Sequence, residues 1–279
     1  MAASPASQLC SKIKISRSVK IKDVISALEC FAPLPLQCDY DNAGLQVGLT
    51  EAEVSGVLLC LDITEAIVLE AEKKGCNMIV SHHPLIFRKL RQVTDADYVQ
   101  RSVMMAIQKG ITIVSMHTNL DAAEGGVNYM IARKLGAIDV QLFDAHEVNG
   151  VKGGEGVMAT LAEPLSAQQL IEKVKEAFGA ERIMANELLE RPICKVAICG
   201  GAGSDVLGNA LRHGADAFIT GEMSYHMFFG LEQQLQLLVF GHYETEQFTP
   251  QLLKEIITER CPEVRCEITE INTNPIKYY

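Results

Sequence analysis

An internal repeat between two distant segments constrains the fold of this chain more than any other feature. Residues 57–83, VLLCLDITEAIVLEAEKKGCNMIVSHH, align without gaps on residues 196–222, VAICGGAGSDVLGNALRHGADAFITGE. Each segment holds an apolar run, an amphipathic stretch that ends at a glycine (Gly75 or Gly214), and a second apolar run. Two buried strands joined by a helix form a βαβ unit, whose strands are parallel. The repeat therefore predicts two α/β halves of related topology.

Histidines and carboxylates follow three of the predicted strands, in the motifs SHHP, HTNLD and GHYETE. They are His82, His83, His117, Asp121, His242 and Glu246. The last two motifs share one spacing, His-x-x-x-carboxylate. Parallel α/β sheets bind ligands at the carboxyl ends of their strands, so these groups are expected to meet there. Four imidazoles and two carboxylates form the ligand set of a site for two borderline divalent ions, and the spacing leaves Zn, Mn, Fe, Co and Ni open.

Buried strands and amphipathic helices alternate along the rest of the chain. Outside the repeat, helices are predicted at 98–109, 124–135, 166–178, 224–235 and 247–260. The segment DNAGLQVG (41–48) indicates a turn followed by an edge strand. The predicted fold class is α/β, with two related halves and largely parallel sheets packed around a metal cleft. The predicted divisions are an N-terminal extension at 1–18, a first half at 19–145, and a second half at 146–279 whose C-terminal part closes the metal site.

Several of these residues have a second interpretation. Asp121 lies at the start of a predicted helix, where an acidic N-cap is common. His117 either binds metal directly or lies behind the ligands and donates a hydrogen bond to one of them. His226, in TGEMSYH at the end of the second repeat, is either a proton donor in the same cleft or a histidine on a helix surface. We take His117 and His226 as the candidate catalytic residues.

Composition restricts the partners and the compartment. The 25 basic and 35 acidic residues give a net charge of −10, which disfavours nucleic acid as a partner, because such binding depends on neutralising phosphates. The nine cysteines include no CxxC pair, as is typical of reduced thiols in a cytoplasmic protein. The N-terminal residues lack the apolar segment of a secretory signal, and no apolar stretch is long enough to span a bilayer. We expect a cytoplasmic protein with no membrane partner.

Six motifs of this chain resemble those of the Nif-three-like family, whose bacterial members are often labelled GTP cyclohydrolase type I, subtype 2 homologues. They are DNAGLQVG (41–48), SHHPLIF (81–87), HTNLDAAEGGVN (117–128), CGGAGS (199–204), TGEMSYH (220–226) and GHYETE (241–246). They run in the family's order and cover nearly the whole chain beyond the N-terminal extension. The resemblance implies a two-metal site in which Glu246 bridges the ions, with five ligands intact here: His82, His83, Asp121, His242 and Glu246. It also implies a toroidal homohexamer whose sites face an inner cavity.

These observations favour a dinuclear metal-dependent hydrolase acting on a small-molecule substrate. The family label implies a cyclohydrolase reaction that opens the imidazole ring of a purine. Hydrolysis of a related nucleotide, amide or phosphoester would use the same ligands. The alternative is a non-enzymatic, metal-binding hexameric ring that binds a partner or handles metal. Metal-dependent turnover of a substrate would distinguish the two.

Overall fold

The structure is a computed structural model that describes residues 18–279. All but the last residue of the predicted N-terminal extension, 1–18, lies outside the described residues. The strands are β1 (Gly44–Val47), β2 (Val57–Cys60), β3 (Met78–Ser81), β4 (Thr112–Ser115), β5 (Ala137–Leu142), β6 (His146–Val148), β7 (Val151–Gly153), β8 (Val157–Leu165), β9 (Met184–Ala185), β10 (Ile193–Ala202), β11 (Ala217–Glu222), β12 (Gln236–Val239) and β13 (Cys266–Ile268). The α-helices are α1 (Ile21–Phe31), α2 (Glu65–Lys73), α3 (Tyr98–Gln108), α4 (Thr118–Ala122), α5 (Val127–Leu135), α6 (Ala167–Phe178), α7 (Leu207–Arg212), α8 (His242–Glu246) and α9 (Thr249–Arg260).

The chain divides into two compact units. The first unit runs up to Ala123 and also contains Glu147–Val151 and Thr249–Tyr279. The second unit contains Glu124–His146 and Lys152–Phe248. This division differs from the predicted boundaries, because 124–145 groups with the second unit and 249–279 returns to the first. The return has a simple cause: the short strand β13 pairs in parallel with β2, which anchors the C-terminal segment to the first sheet.

The first unit is built on a five-stranded sheet in the order β1-β4-β3-β2-β13. Three of its four pairings are parallel, and at one edge β1 is antiparallel to β4. Strands β2, β3 and β4 are buried along their whole length, as expected for parallel strands covered on both faces. Leu58, Ile79 and Ile113 from these strands share a core with Ile67 and Val68 of α2. The predicted edge strand at 41–48 is confirmed by β1.

The second unit is built on a six-stranded sheet in the order β5-β8-β10-β11-β12-β9. Its centre, β10-β11-β12, is parallel, and antiparallel strands extend it on both sides. Phe143, Ala197, Phe218 and Leu237 form part of its core. Together the two units confirm the predicted α/β class with two halves.

The repeat is present in the backbone of both units. Strands β2 and β3 pair Val57 with Met78, and strands β10 and β11 pair Val196 with Ala217. The next three pairs follow in the same register in both copies, up to Cys60 with Ser81 and Cys199 with Thr220. The helix between the strands differs, because α2 is a continuous helix, whereas a 3₁₀ turn at Ser204–Val206 precedes the short α7.

One predicted helix is wrong. The segment 224–235 contains only a 3₁₀ turn at Tyr225–Phe228, followed by irregular backbone. Gly230 and Gln233 have φ angles of 76° and 53°, which lie in the left-handed region and end a right-handed helix. Within the described residues, no helix combines the length and apolar character needed to cross a membrane.

Candidate metal centre

The double histidine lies directly beyond β3 and continues its pairing with the end of β2. The backbone N–H of His82 donates to Cys60 O (3.2 Å), and that of His83 donates to Leu61 O (2.9 Å). The Ser81 hydroxyl donates to His83 O (2.8 Å), which fixes the turn that follows. His82 is fully buried, whereas the His83 side chain is 23% exposed. Adjacent residues of an extended segment point in different directions, so the two rings diverge from one anchored backbone.

Three imidazoles converge in the first unit. The rings of His82 and His83 lie 4.9 Å apart, and the ring of His117, which follows β4, lies 5.3 Å from the first and 5.5 Å from the second. One ring nitrogen from each can be chosen so that all three atoms lie within 4.8 Å of one another. Three nitrogens at this separation can bind a common cation or two neighbouring ones.

Each of these imidazoles has its Nδ1 held by an oxygen acceptor. The acceptors are Met116 O for His82 (2.8 Å), Asp62 Oδ1 for His83 (2.7 Å) and Asp41 Oδ1 for His117 (2.7 Å). Since a carbonyl or carboxylate oxygen only accepts, Nδ1 carries the proton in each ring. The neutral ring then presents the lone pair of Nε2, which is the usual arrangement of metal-binding histidines.

Asp41 is itself held in place by the start of α4. Its Oδ2 accepts hydrogen bonds from the backbone N–H (3.1 Å) and the hydroxyl (2.5 Å) of Thr118. Burial favours the neutral carboxyl, but the hydrogen bonds from His117, Thr118 and the backbone of Asn42 outweigh it and lower the pKa of Asp41 to about 2. Asp41 is therefore ionised at neutral pH and fixes the orientation of the His117 ring.

Asp62 plays the same part for His83. Its second oxygen accepts a hydrogen bond from the hydroxyl of Thr273 (2.7 Å). Burial again opposes ionisation, but the hydrogen bonds from His83 and Thr273 lower the pKa of Asp62. The carboxylate thus links His83 to the C-terminal segment of the chain.

Asp121 adds a carboxylate to the three rings. It lies one helical turn beyond His117, and its backbone N–H donates to His117 O (3.0 Å). Asp121 Oδ1 lies 3.5 Å from Nε2 of His82, and the Asp121 side chain is 25% exposed. The first unit therefore brings together all four of its predicted site residues, which offer three nitrogen atoms and one carboxylate as possible metal ligands.

The second unit brings its two predicted ligands together on the five-residue helix α8. His242 Nε2 lies 3.1 Å from Glu246 Oε2, as the i, i+4 spacing predicts, and the Glu246 side chain is only 3% exposed. Nδ1 of His242 lies 3.0 Å from Glu222 Oε1 at the end of β11. A carboxylate thus holds Nδ1 here as well.

The glycines at the end of β10 make room for these groups. Gly201 has a φ of 58°, and a Cβ atom there would come within 2.4 Å of Glu246 Oε1 and 3.2 Å of His242 Nε2. Gly201 is therefore required both by its backbone conformation and by close approach. The register of β10 against β11 shifts between Cys199 and Ala202, where these glycines lie.

His226 lies outside these clusters. It is exposed, in the 3₁₀ turn at Tyr225–Phe228, and its ring lies 5.3 Å from that of Tyr225 and 6.3 Å from that of Phe229. Its catalytic role stays a prediction.

Sequence reasoning did not identify the carboxylates that orient the rings. The sequence alone assigns none of the three, Asp41, Asp62 and Glu222, to a histidine. Asp62 carried a usable signal, because it follows the apolar run VLLCL as a polar residue at a strand end. Asp41 begins the DNAGLQVG motif, but nothing in the sequence pairs it with His117, which is 76 positions away.

The chain is similar over most of its length to a family model, to curated relatives and to solved structures. A family model described as Duf34/NIF3 (NGG1p interacting factor 3) matches residues 19–275. A Clostridium perfringens protein named "GTP cyclohydrolase 1 type 2 homolog" is 34% identical over 245 residues, covering 87% of this chain and 92% of that protein. A Schizosaccharomyces pombe protein named "Protein NIF3 homolog" is 31% identical over 258 residues, covering 88% and 90%. The crystal structure of Staphylococcus aureus protein SA1388 matches with a TM-score of 0.85 and 26% identity, covering 94% of this chain and all of that one.

Proposed function

Because this chain belongs to the Duf34/NIF3 family, we propose that it is a metal-dependent hydrolase with a dinuclear centre. The proposed ligands are His82, His83, Asp121, His242 and Glu246. The observation that carries the proposal is the trio of imidazoles in the first unit, each with Nδ1 held by an acceptor. Protein interiors accommodate clustered imidazoles and buried carboxylates at a cost in free energy, which a bound cation offsets.

The donor set fits a borderline divalent ion. Imidazole nitrogen and carboxylate oxygen without thiolate suit Zn, Mn, Fe, Co or Ni. Two such ions, when bound, supply an activated water at neutral pH and polarise the bond that is cleaved. The name of the Clostridium perfringens relative supports a nucleotide substrate and a ring-opening hydrolysis.

His117 is proposed to move the proton. With Nδ1–H donated to Asp41, its Nε2 can accept a proton from the attacking water and return it to the leaving group. Asp41 stays ionised because its pKa is about 2, so it stabilises the imidazolium that forms. His226 is the second candidate proton donor, and replacement by Asn would test it in the same assay.

Elemental analysis of the purified full-length chain tests the metal centre. We expect two divalent ions per chain and their loss in His83→Ala, Asp121→Ala and Glu246→Ala. His213→Ala is a matched control, because this histidine is 44% exposed and lies 3.8 Å from Asp144 on the surface. Unchanged metal content in both Asp121→Ala and Glu246→Ala would remove these carboxylates from the ligand set.

Turnover tests the reaction. The metal-loaded chain should hydrolyse GTP or a model ester, and His83→Ala should abolish the activity. His117→Gln should keep the metal and lower kcat by about 10²- to 10⁴-fold, the usual contribution of a general base. Metal binding without turnover across nucleotides, amides and phosphoesters would favour the non-enzymatic alternative.

The toroidal homohexamer stays a prediction, which light scattering of the purified protein would check.

A further inference from the structure

Two exposed aromatic rings lie beside the imidazole cluster of the first unit. Tyr40 and Phe87 are 67% and 45% exposed, although large apolar rings are usually covered. Tyr40 lies in the loop before β1, and Phe87 lies in the segment that follows the double histidine. Their ring centroids are 6.5 Å apart, with the planes at 68°. The two rings thus form an open corner on the surface.

This corner adjoins a proposed catalytic group. The ring of Phe87 lies 6.1 Å from that of His117, with the planes at 89°. Phe87 is therefore flanked by His117 and by Tyr40. A flat group placed against these two aromatic rings would lie next to the imidazole cluster.

Polar contacts join the two loops that carry the rings. The amide of Asn42 donates to Ile86 O (2.6 Å), and Ile86 N–H donates to Gln46 Oε1 (3.1 Å). Gln46 Nε2 also donates to Asn42 O (2.6 Å). Both backbone groups of the residue before Phe87 are thus bound by side chains from the segment that follows Tyr40. Fixing two loops to each other in this way lowers the entropy that a ligand must overcome to bind between their rings.

The same segment also orients the catalytic histidine. Asp41, adjacent to Tyr40, accepts the hydrogen bond from His117 Nδ1. A ligand that contacts Tyr40 is therefore placed by the stretch of chain that positions the imidazole. The DNAGLQVG motif thus orients His117 and fixes the loop that carries Phe87, although none of its residues is a proposed metal ligand.

We propose that Tyr40 and Phe87 form a subsite that binds a planar aromatic ring of the substrate. The proposal rests on the hydrolase function above, since the ring would be held next to the bond that is cleaved. Stacking and edge-to-face contacts with aromatic side chains recognise any flat π-system, whereas they contribute nothing to a bare phosphate chain. The substrate class is therefore a molecule in which a planar ring lies close to the scissile bond.

Binding to the metal-loaded, full-length chain tests the subsite, with GTP as the ring-bearing probe and inorganic tripolyphosphate as the probe without a ring. Tyr40→Leu and Phe87→Leu should each weaken GTP binding by about 5- to 100-fold in calorimetry. Both should leave tripolyphosphate binding and metal content unchanged. Tyr40→Phe keeps the ring and should retain GTP affinity. Tyr98→Leu removes another exposed ring, 56% exposed, and should have no effect.

A fluorescent reporter gives an independent measurement. The chain contains no tryptophan, so Tyr40→Trp introduces a single one. Its emission should be quenched by GTP and not by tripolyphosphate. Equal losses for both probes, unchanged GTP affinity in both Leu variants, or a chain that holds metal but binds no GTP would each overturn the subsite. A chain without metal would instead be seen in the elemental analysis and would contradict the proposed function itself.

Discussion

The two βαβ units share a backbone and differ in what they place at its end. In the first, the second strand is followed by His82 and His83, whose rings join the imidazole cluster. In the second, the aligned residues are Gly221 and Glu222. There the strand end is packed tightly against α8, and the carboxylate of Glu222 orients His242. The common backbone fixes the position of the strand end, and the two copies place different side chains there. The first copy places imidazoles that can bind metal, whereas the second places a glycine that leaves space for α8 and a carboxylate that orients His242.

The copies also share a side-chain contact that the alignment alone did not indicate. Asn77 precedes β3, and its Oδ1 accepts a hydrogen bond from Ser55 N–H (2.9 Å). At the aligned position before β11, Asp216 accepts one from Cys194 N–H (2.8 Å). A neutral amide in one copy and a carboxylate in the other hold the start of the same strand pair. The comparison can be tested at this contact, at the strand end and at the terminal glycines.

The largest effect on stability is expected at Gly221. A Cβ atom there would lie 2.8 Å from Gly201 O, His242 Cα and Thr245 Oγ1, and two of these atoms are backbone. We expect Gly221→Ala to lower the free energy of unfolding by about 1–3 kcal/mol, measured by urea denaturation. Gly208→Ala in α7 is the matched control, since its Cβ would meet only the flexible end of Arg212 at 3.4 Å and should be neutral or stabilising. Equal effects of the two variants would mean that the strand end is not tightly packed.

The two carboxylates that orient His83 and His242 should contribute differently to metal affinity. Asp62 is 34% exposed and lies 2.7 Å from His83 Nδ1, whereas Glu222 is 56% exposed and lies 3.0 Å from His242 Nδ1. Asp62→Asn should weaken metal binding by about 10- to 100-fold, as is common when an orienting carboxylate is lost. Glu222→Gln should weaken it by less than about 10-fold, because solvent screens the more exposed contact. Chelator competition measures both, and a larger loss for Glu222→Gln would reverse the ranking of the two contacts.

The wholly buried strands could be predicted from the sequence, whereas the more exposed and the very short strands could not. Strands β2, β3, β4 and β12 are wholly buried, so their apolar runs were easy to recognise. Strand β5 was missed because none of its residues is fully buried, so it has no apolar run. Strand β13 is too short to give a pattern, and its absence from the prediction also displaced the domain boundary.

The metal donors could be predicted because they lie at strand ends in a repeated plan. Their orienting partners could not, with the exception of Asp62, because contacts such as Asp41 with His117 join segments that only the fold brings together. The predicted helix at 224–235 failed for a different reason. SYHMFFGLEQQL has apolar residues at helical spacing, but the local conformations of Gly230 and Gln233 interrupt it.

The hydrogen bonds to Asp216 should contribute more to the free energy of unfolding than the hydrogen bond to the aligned residue Asn77. The carboxylate binds two backbone N–H groups, those of Cys194 and Lys195, and also contacts Arg191. Asp216→Asn should lower the free energy of unfolding by about 1–2 kcal/mol, because a hydrogen bond to a charged group is stronger than one to an amide. Asn77→Asp in the first unit is the reciprocal variant. Its carboxylate would strengthen the hydrogen bond from the one donor, Ser55 N–H, but would lose the bond that Asn77 Nδ2 donates to Glu53 O (2.7 Å), so the two effects oppose each other and the net change should be smaller. Urea denaturation measures both, and an equal loss in each would show that charge does not distinguish the copies.

The strand pair held by Asp216 should depend on pH, whereas the strand pair held by Asn77 should not. Burial opposes ionisation of Asp216, but the N–H groups of Lys195 and Cys194 and the charge of Arg191 lower its pKa. A lowered pKa in the folded state stabilises the protein above the unfolded pKa, near 4, and the contribution is lost as the pH falls through the folded value. Hydrogen exchange at the Cys194 amide should therefore accelerate below about pH 4 relative to that at Ser55, whose acceptor, Asn77, does not titrate. Parallel acid dependence at both amides, after correction for intrinsic exchange, would contradict the assignment.

The smallest and most closely matched effect is expected at the glycines that end the repeated helices. Gly75 and Gly214 have φ angles of 66° and 70°, and a Cβ atom at either would meet no heavy atom closer than 3.9 Å. Alanine would therefore fit in both places, and only the left-handed conformation opposes it. Each substitution should lower the free energy of unfolding by about 1 kcal/mol, and the two losses should agree within about 0.5 kcal/mol. Thermal and urea denaturation of the two single variants give the comparison. A loss confined to one of them would mean that the two units contribute unequally to the cooperative unfolding of the chain, even where their backbones coincide.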